Sequence, residues 1–217
     1  MAQPVVTRGA TSREIRRAKA RRKTVARRRL TLAAAALVLL TVAVVLALPL
    51  FRKAVTELTL PLKHADIIRQ QAAEKHLQPA LVAAVIYAET KFDARTSPAG
   101  AQGLMQIMPE TARFLAKRSG AKTFQVSDLS MPQVNIAYGS YLLRYLLDHY
   151  HGNIVFALAA YNGGETNADH WVAQAKQSGD KLTIARIPFP ETRAYVKKVL
   201  SAEHDYRTKY ASQLGYQ

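Results

Sequence analysis

Glu89 stands at the end of an apolar run, Leu81 to Ala88, with Tyr87 and Phe92 beside it. Packing that run against a core leaves the carboxyl at the rim of apolar surface. An acid in such a place prefers its neutral form, so its pKa is expected to rise. Acid catalysis by one glutamate of raised pKa suits cleavage of a glycosidic bond. A capping or salt-bridged surface glutamate is the alternative, and this stretch alone leaves both open. Glu165 and Glu191 are lesser carboxylates for the same role. No HExxH, Walker-type phosphate loop or GxSxG motif occurs. The chain has no cysteine, which excludes a thiol nucleophile, a disulfide framework and a zinc–thiolate site. His149 and His151, two apart, do not converge on one helix face and read as solvated surface groups. Ser97 has no evident base beside it and reads as a loop hydrogen-bonding group. Trp171 reads as core more simply than as a platform for a sugar. No metal or cofactor is expected.

The elements that must position Glu89 follow from local signals. Gln78-Pro79 opens the helix that ends in Glu89, because proline fits the first helical position. A polar loop with Ser97, Pro98 and Gly100 follows, and the chain re-enters an apolar segment through Gly103, with Gln106 among Leu104, Met105, Ile107 and Met108. Pro109 and Glu110 start the next helix, which Gly120 stops. A helix from about residue 132 to 150 carries Tyr138, Tyr141, Leu142 and Tyr145 at helical spacing. A short buried helix, 154–160, runs into Tyr161-Asn162-Gly163-Gly164, where paired glycines predict a tight turn open to a ligand. Pro190 and Glu191 begin the last helix, with Tyr195, Val196, Val199 and Leu200 in its stripe. A helical pattern also covers residues 65–75. Strand-like alternation is almost absent, so the fold class is mainly α, with one hairpin-like stretch near residues 96–107.

Charge divides the chain more sharply than its total of +16 implies. Residues 1–30 hold eleven Lys/Arg and one acid, whereas residues 54–217 hold eighteen Lys/Arg and fourteen acids. Residues 30–51 carry no charge at all. As a helix they would extend roughly 33 Å, enough for a hydrocarbon core of ~30 Å. A single N-terminal transmembrane helix is therefore expected, with the basic tail cytoplasmic and everything after Lys53 outside. A cleaved signal peptide is the rival, but its apolar region is shorter and a small-x-small cleavage site should follow. The expected organisation is a basic tail over 1–29, an anchor over 30–51, a connector over 52–64 and a catalytic domain over 65–217. Nucleic-acid binding by the tail is not expected, since the adjacent anchor accounts for the arginines.

Four segments in this order resemble the soluble lytic transglycosylase family. They are Glu89-Thr90-Lys91-Phe92, the run Gly103 to Ala112 (GLMQIMPETA), Ala160-Tyr161-Asn162-Gly163-Gly164, and Pro190-Glu191-Thr192-Arg193-Ala194-Tyr195. The resemblance covers residues 65–205; Thr90 stands where the family usually has serine and Gly164 where it often has alanine. It implies a lysozyme-like helical domain acting on peptidoglycan glycan strands. Glu89 corresponds to the family's catalytic acid/base. Ser97, Gln106, Tyr161 and Asn162 match cleft positions that contact the glycan, and Met105 with Tyr161 would supply apolar surroundings for Glu89. Glu191 and Tyr195 match secondary site positions. The implied reaction cleaves the β-1,4 bond between N-acetylmuramic acid and N-acetylglucosamine without water, leaving a 1,6-anhydro end. A hydrolytic muramidase and a non-catalytic peptidoglycan-binding module are the alternatives.

Overall fold

A computed structural model describes residues 37, 39–48, 51, 55, 58–179 and 183–216. The chain divides into two units, one ending at Thr56 and one beginning at Glu57. In the first, residues 39–48 are helical (α1) with exposed apolar side chains, Leu40 at 62% and Leu46 at 67% among them. The basic tail and much of the expected anchor over 30–51 lie outside the described residues. Among the described residues no helix is long and apolar enough to cross a membrane.

The second unit is helical: α2 (Ala65–Glu74), α3 (Pro79–Thr90), α4 (Pro109–Ser119), α5 (Pro132–His149), α6 (Ile154–Gly163), α7 (Glu165–Gln177) and α8 (Pro190–Lys209). Between α3 and α4 runs a small antiparallel hairpin, β1 (Arg95–Thr96) with β2 (Gln102–Gly103), Arg95 opposite Gly103. The expected hairpin-like stretch is therefore a true hairpin. Proline occupies the first turn of α3, α4, α5 and α8, and Gly120 ends α4 at φ 74°. Each of these follows from local chemistry: proline has no N–H to waste at a helix start, and glycine takes the left-handed turn at a helix end.

Helix α3 is the centre of the core. Ala80, Val82, Ala83, Ala84, Val85 and Ile86 have no exposed surface, so the helix is buried on every face until its last turn. It lies along α8 more extensively than any other pair of elements. Each fully buried Val or Ile there is worth about 1.5–3 kcal/mol of transfer free energy. The chain just before α2 belongs to the same unit: Tyr87, Tyr210 and Tyr206 donate to the carbonyls of Thr59, Leu60 and Pro61.

One expectation changes in the structure. Tyr161 and Asn162 lie not in a turn but in the last turn of α6, which continues through Gly163. Only Gly164 leaves the helix, at φ 86°, and it hands the chain directly to α7, whose first turn carries Glu165. Gly163 serves close packing inside the helix: a Cβ there would meet Trp171 at 2.9 Å and the Thr192 hydroxyl at 3.2 Å.

Candidate active site

The buried wall of α3 ends by presenting Glu89, which is half-buried. Carbonyls at a helix C-terminus lack intrahelical partners, and here charged side chains supply them. Lys198 of α8 donates to Ala88 O at 2.7 Å, and Arg95 of the hairpin donates to Glu89 O at 3.1 Å. Thr90, buried, donates to Leu104 O at 2.8 Å and ties the helix end to the loop beyond the hairpin. Lys91 and Phe92 then both turn left-handed, at φ 53° and 64°. Two consecutive non-glycine residues in that region store backbone strain directly after the acid.

Burial pushes the Glu89 carboxyl up to about 7, against the lowering effects of the Tyr195 hydroxyl and the Lys198 and Arg95 charges. Desolvation wins because the apolar end of α3 removes water from the carboxylate more completely than two partly solvated cations can replace it. No other carboxylate is among the groups that shift it. Tyr195 Oη is buried and meets no atom in hydrogen-bonding geometry. It lies near enough to Glu89 that its dipole lowers the acid, while burial, and then the Glu89 charge, raise the phenol well above its usual value. Contacts of this kind in unliganded sites are commonly long and tighten when a ligand seats.

Tyr161 closes a second side. Its hydroxyl donates to Met105 O at 2.9 Å, and its own pKa is raised well above the usual value by burial, then by Glu89. Met105 has no exposed surface; its side chain packs on Gly139 of α5, and its carbonyl holds Tyr161. Gln106 follows in a left-handed conformation at φ 49°, with its amide nitrogen donating to Arg95 O and Gly103 O, both at 2.8 Å. Gly103 is required at φ 78°, since a Cβ there would meet Asn135 Nδ2 at 2.1 Å and Leu129 O at 2.5 Å.

The structure thus groups Glu89, Tyr195 and Tyr161 by mutual electrostatic effect and Met105 by its hydrogen bond to Tyr161, while Gln106 is tied in through Arg95, which reaches Glu89 O. Asn162 joins them by position on α6: Thr192, buried on α8, donates to Asn162 Oδ1 at 2.8 Å, which leaves the amide N–H groups as the free side. Ser97 sits at the hairpin tip, where its hydroxyl accepts from Ala101 N at 3.0 Å. Glu191 is exposed in the first turn of α8 and makes no ion pair among the described residues. No contact among the described residues links either to Glu89. Lys198 and Arg95 carry no sequence signal of their own; Thr90 and Thr192 stand in the segments that carry the resemblance, but their partners, Leu104 O and Asn162 Oδ1, are 14 and 30 residues away.

Two other features lie beside Tyr161 and Asn162. A cavity of about 430 Å³ is lined by both, with Glu110, Phe114, Tyr145 and Glu165 among the other walls. Glu89 is not part of its lining. Beside it His149, Glu165 and Asp169 bring three potential ligand atoms within 4.8 Å of one another. These groups are already engaged, His149 Nε2 with Asp169 at 2.9 Å and Tyr145 and Tyr150 donating to Glu165 and Asp169.

Residues 66–184 match the family described as Transglycosylase SLT domain. A soluble lytic murein transglycosylase of Salmonella typhimurium is 33% identical over 150 residues, covering 68% of this chain and 23% of its own. The crystal structure of the 70 kDa soluble lytic transglycosylase of Escherichia coli aligns with a TM-score of 0.66 at 29% identity, covering 74% of this chain and 27% of that one. An inactive mutant of a lytic transglycosylase from Pseudomonas aeruginosa aligns with a TM-score of 0.65 at 30% identity, over 72% and 26% of the two chains. The chain spans about a quarter of the length of these relatives.

Proposed function

The chain belongs to the Transglycosylase SLT domain family, and from that membership we propose that it is a lytic transglycosylase cleaving the β-1,4 bond between N-acetylmuramic acid and N-acetylglucosamine in peptidoglycan. The observation that carries this reading is a lone carboxylic acid held at about 7, with no second carboxylate among the groups that shift it. Two-carboxylate glycosidases need a partner acid to supply a nucleophile or activate water. Here one group does both proton transfers. Protonated Glu89 gives its proton to the glycosidic oxygen as the bond from that oxygen to the muramoyl anomeric carbon breaks. The resulting carboxylate takes the proton of the muramoyl 6-hydroxyl as that oxygen bonds to the same carbon. The products are a 1,6-anhydro end and a free 4-hydroxyl; no water is consumed and Glu89 ends protonated. The muramoyl acetamido oxygen stabilises the cation-like stage.

Around that cycle, Gln106, Tyr161 and Asn162 contact the glycan, Tyr195 tunes Glu89, and Met105 acts through the carbonyl that holds Tyr161. Ser97 and Glu191 are assigned to the outer edges of the same groove. Digestion of purified sacculi followed by mass analysis tests the reaction: anhydro-muropeptides are expected, and Glu89→Gln abolishes them. Reducing ends alone would assign a hydrolytic muramidase, and binding without turnover a non-catalytic module.

The uncharged stretch over 30–51, flanked by eleven basic residues before it and two after it, supports a single membrane anchor with the tail in the cytoplasm. The exposed apolar side chains of α1 fit lipid contact. The organisation assigned is tail 1–29, anchor 30–51, connector 52–64 and catalytic domain 65–217, in the cytoplasmic membrane with catalysis on the outer side. A reporter fused after Gln217 should be active only outside the cytoplasm; activity inside reverses the orientation.

A further inference from the structure

A second cavity opens between α8 and the chain that precedes α2. Its volume is about 330 Å³, and Thr59, Leu60, Tyr87, Lys198, Asp205 and Lys209 are among its walls. Lys209 is paired at 3.2 Å with Asp205, the one carboxylate of the lining. Lys198 lies over the Tyr87 ring at 5.5 Å and gives one N–H to Ala88 O at 2.7 Å. An ammonium carries three such donors, so two remain. Burial first, then repulsion by Lys91 and, more weakly, by Arg95 pull the Lys198 ammonium below its usual value, and Glu89 alone opposes them. Below about 7 Glu89 is neutral, which leaves three cations near one another with no charged acid among the groups that shift Lys198.

Positive charge gathered without a counter-ion attracts an anion. Lysine ammoniums act as point charges and suit a tetrahedral oxyanion, whereas an arginine fork favours planar, bidentate partners. Ser201, exposed on the same wall, adds a hydroxyl. We propose that this cavity binds a phosphate ester, with Lys198 and Lys209 as its cationic partners. That chemistry belongs to a lipid headgroup or to a free phosphate ester, and the test separates the two. Occupancy also reaches the reaction, which rests on the reading of Glu89 given above. The Lys198 charge lowers Glu89, so an anion beside Lys198 offsets that charge and raises the acid. The other groups that act on Glu89, or on which it acts, are Arg95 of the hairpin, Tyr195 of α8 and Tyr161 of α6, and none of them lines this cavity. Release of anhydro-product therefore extends to higher pH when the cavity is filled.

Calorimetric titration of the full-length protein in neutral detergent with glycerol 3-phosphate measures the site. Glycerol is the uncharged control, and chloride holds the ionic strength constant. Glycerol 3-phosphate is expected to bind and glycerol is not. Lys209→Met is expected to weaken binding about tenfold, the scale of one charge-assisted pair. Asp205→Asn is expected to tighten it, because it frees Lys209 and removes the opposing charge; a variant that had merely lost its fold would not bind more tightly. Equal binding by the wild type and both variants, or none by the wild type, overturns the proposal. The pH–rate profile of anhydro-product release reads the coupling. Its midpoint should move upward with glycerol 3-phosphate in the wild type and stay in place in Lys209→Met, while the two profiles without ligand coincide. Binding with an unmoved wild-type midpoint overturns the coupling to Glu89. The source follows from the full-length protein reconstituted in phosphatidylcholine vesicles with and without phosphatidylglycerol. A midpoint moved by phosphatidylglycerol in the wild type but not in Lys209→Met assigns the lipid headgroup, and one moved only by the soluble ester assigns the free compound. Loss of release on every substrate would remove the reaction and leave the calorimetric result standing, so the two readings fail separately.

Discussion

Asn135 accepts the Met105 N–H at 2.7 Å from a side chain with no exposed surface. Its amide nitrogen donates to Gln102 O at 2.8 Å and Leu129 O at 2.9 Å. One residue of α5 therefore satisfies two backbone groups of the segment that carries Gln106 and the Tyr161 anchor, and a third, Leu129 O, in the turn before α5. Buried polar groups are tolerated only when paired, so this residue specifies the path of the loop as well as its stability.

Asn135→Leu would strip one N–H and two carbonyls of their partner inside the core. Each buried group left unsatisfied costs about 1–3 kcal/mol, and together a loss of about 3 kcal/mol or more is expected. For a unit of this size that lowers the melting temperature by roughly 6–12 °C. Urea unfolding with an unchanged slope measures it, and a loss below about 1 kcal/mol would show that the loop holds itself.

The Glu89 value sets the pH dependence of the reaction. The acid must be protonated to act, so the rate of anhydro-product release should be level below about 7 and fall tenfold per pH unit above it. Stability follows the same group. Folded, the carboxyl holds its proton up to about 7; unfolded, it titrates near 4.5. The stabilising contribution is full below the unfolded value and is lost as pH rises through about 7. Glu89→Gln keeps the neutral shape at every pH. It should match wild type near pH 4 and exceed it by up to about 3 kcal/mol at pH 9. Equal stability curves would mean that the carboxyl is better solvated than its position at the end of α3 implies.

Tyr195→Phe separates tuning from architecture. The hydroxyl has no hydrogen-bond partner to lose, so its removal should change stability by less than about 0.5 kcal/mol. Its dipole lowers Glu89, so without it the midpoint of the pH–rate profile should move upward. A Tyr195→Phe enzyme with an unmoved midpoint would leave burial and the two cations as the whole account of the Glu89 value.

The parts of this fold that local chemistry governs are legible in the sequence. Pro79, Pro109, Pro132 and Pro190 each open a helix, and the apolar run before Glu89 becomes the buried α3. The glycine pair after Asn162 misleads because glycine marks turns and also close packing. Gly163 is the second kind, pressed by Trp171 and Thr192, and α6 runs on through it before α7 starts. The raised value of Glu89 is legible, because burial at the end of the apolar run is its largest cause, whereas the cations that oppose it are not. Lys198 reaches Ala88 O across 110 residues of chain, and no spacing rule spans that distance.

Gly139 lies in α5 with an ordinary helical backbone, where Gly→Ala normally stabilises by up to about 1 kcal/mol. Here the opposite is expected. A Cβ at this position would meet Met105 Sδ at 2.3 Å and Met105 Cβ at 2.7 Å. Met105 is fully buried, so it has no free space into which to retreat. Overpacking of this kind costs about 1–3 kcal/mol and outweighs the helix gain. Because the Met105 carbonyl holds Tyr161, the displaced segment should also slow anhydro-product release. Met105→Ala alone leaves a cavity worth about 2–5 kcal/mol. The double variant Gly139→Ala/Met105→Ala should lose less than the sum of the two single changes, since the new methyl occupies part of that cavity. Strict additivity in unfolding measurements would show that the two side-chain positions do not compete for the same space, and that α5 does not set the position of the Tyr161 anchor through Met105.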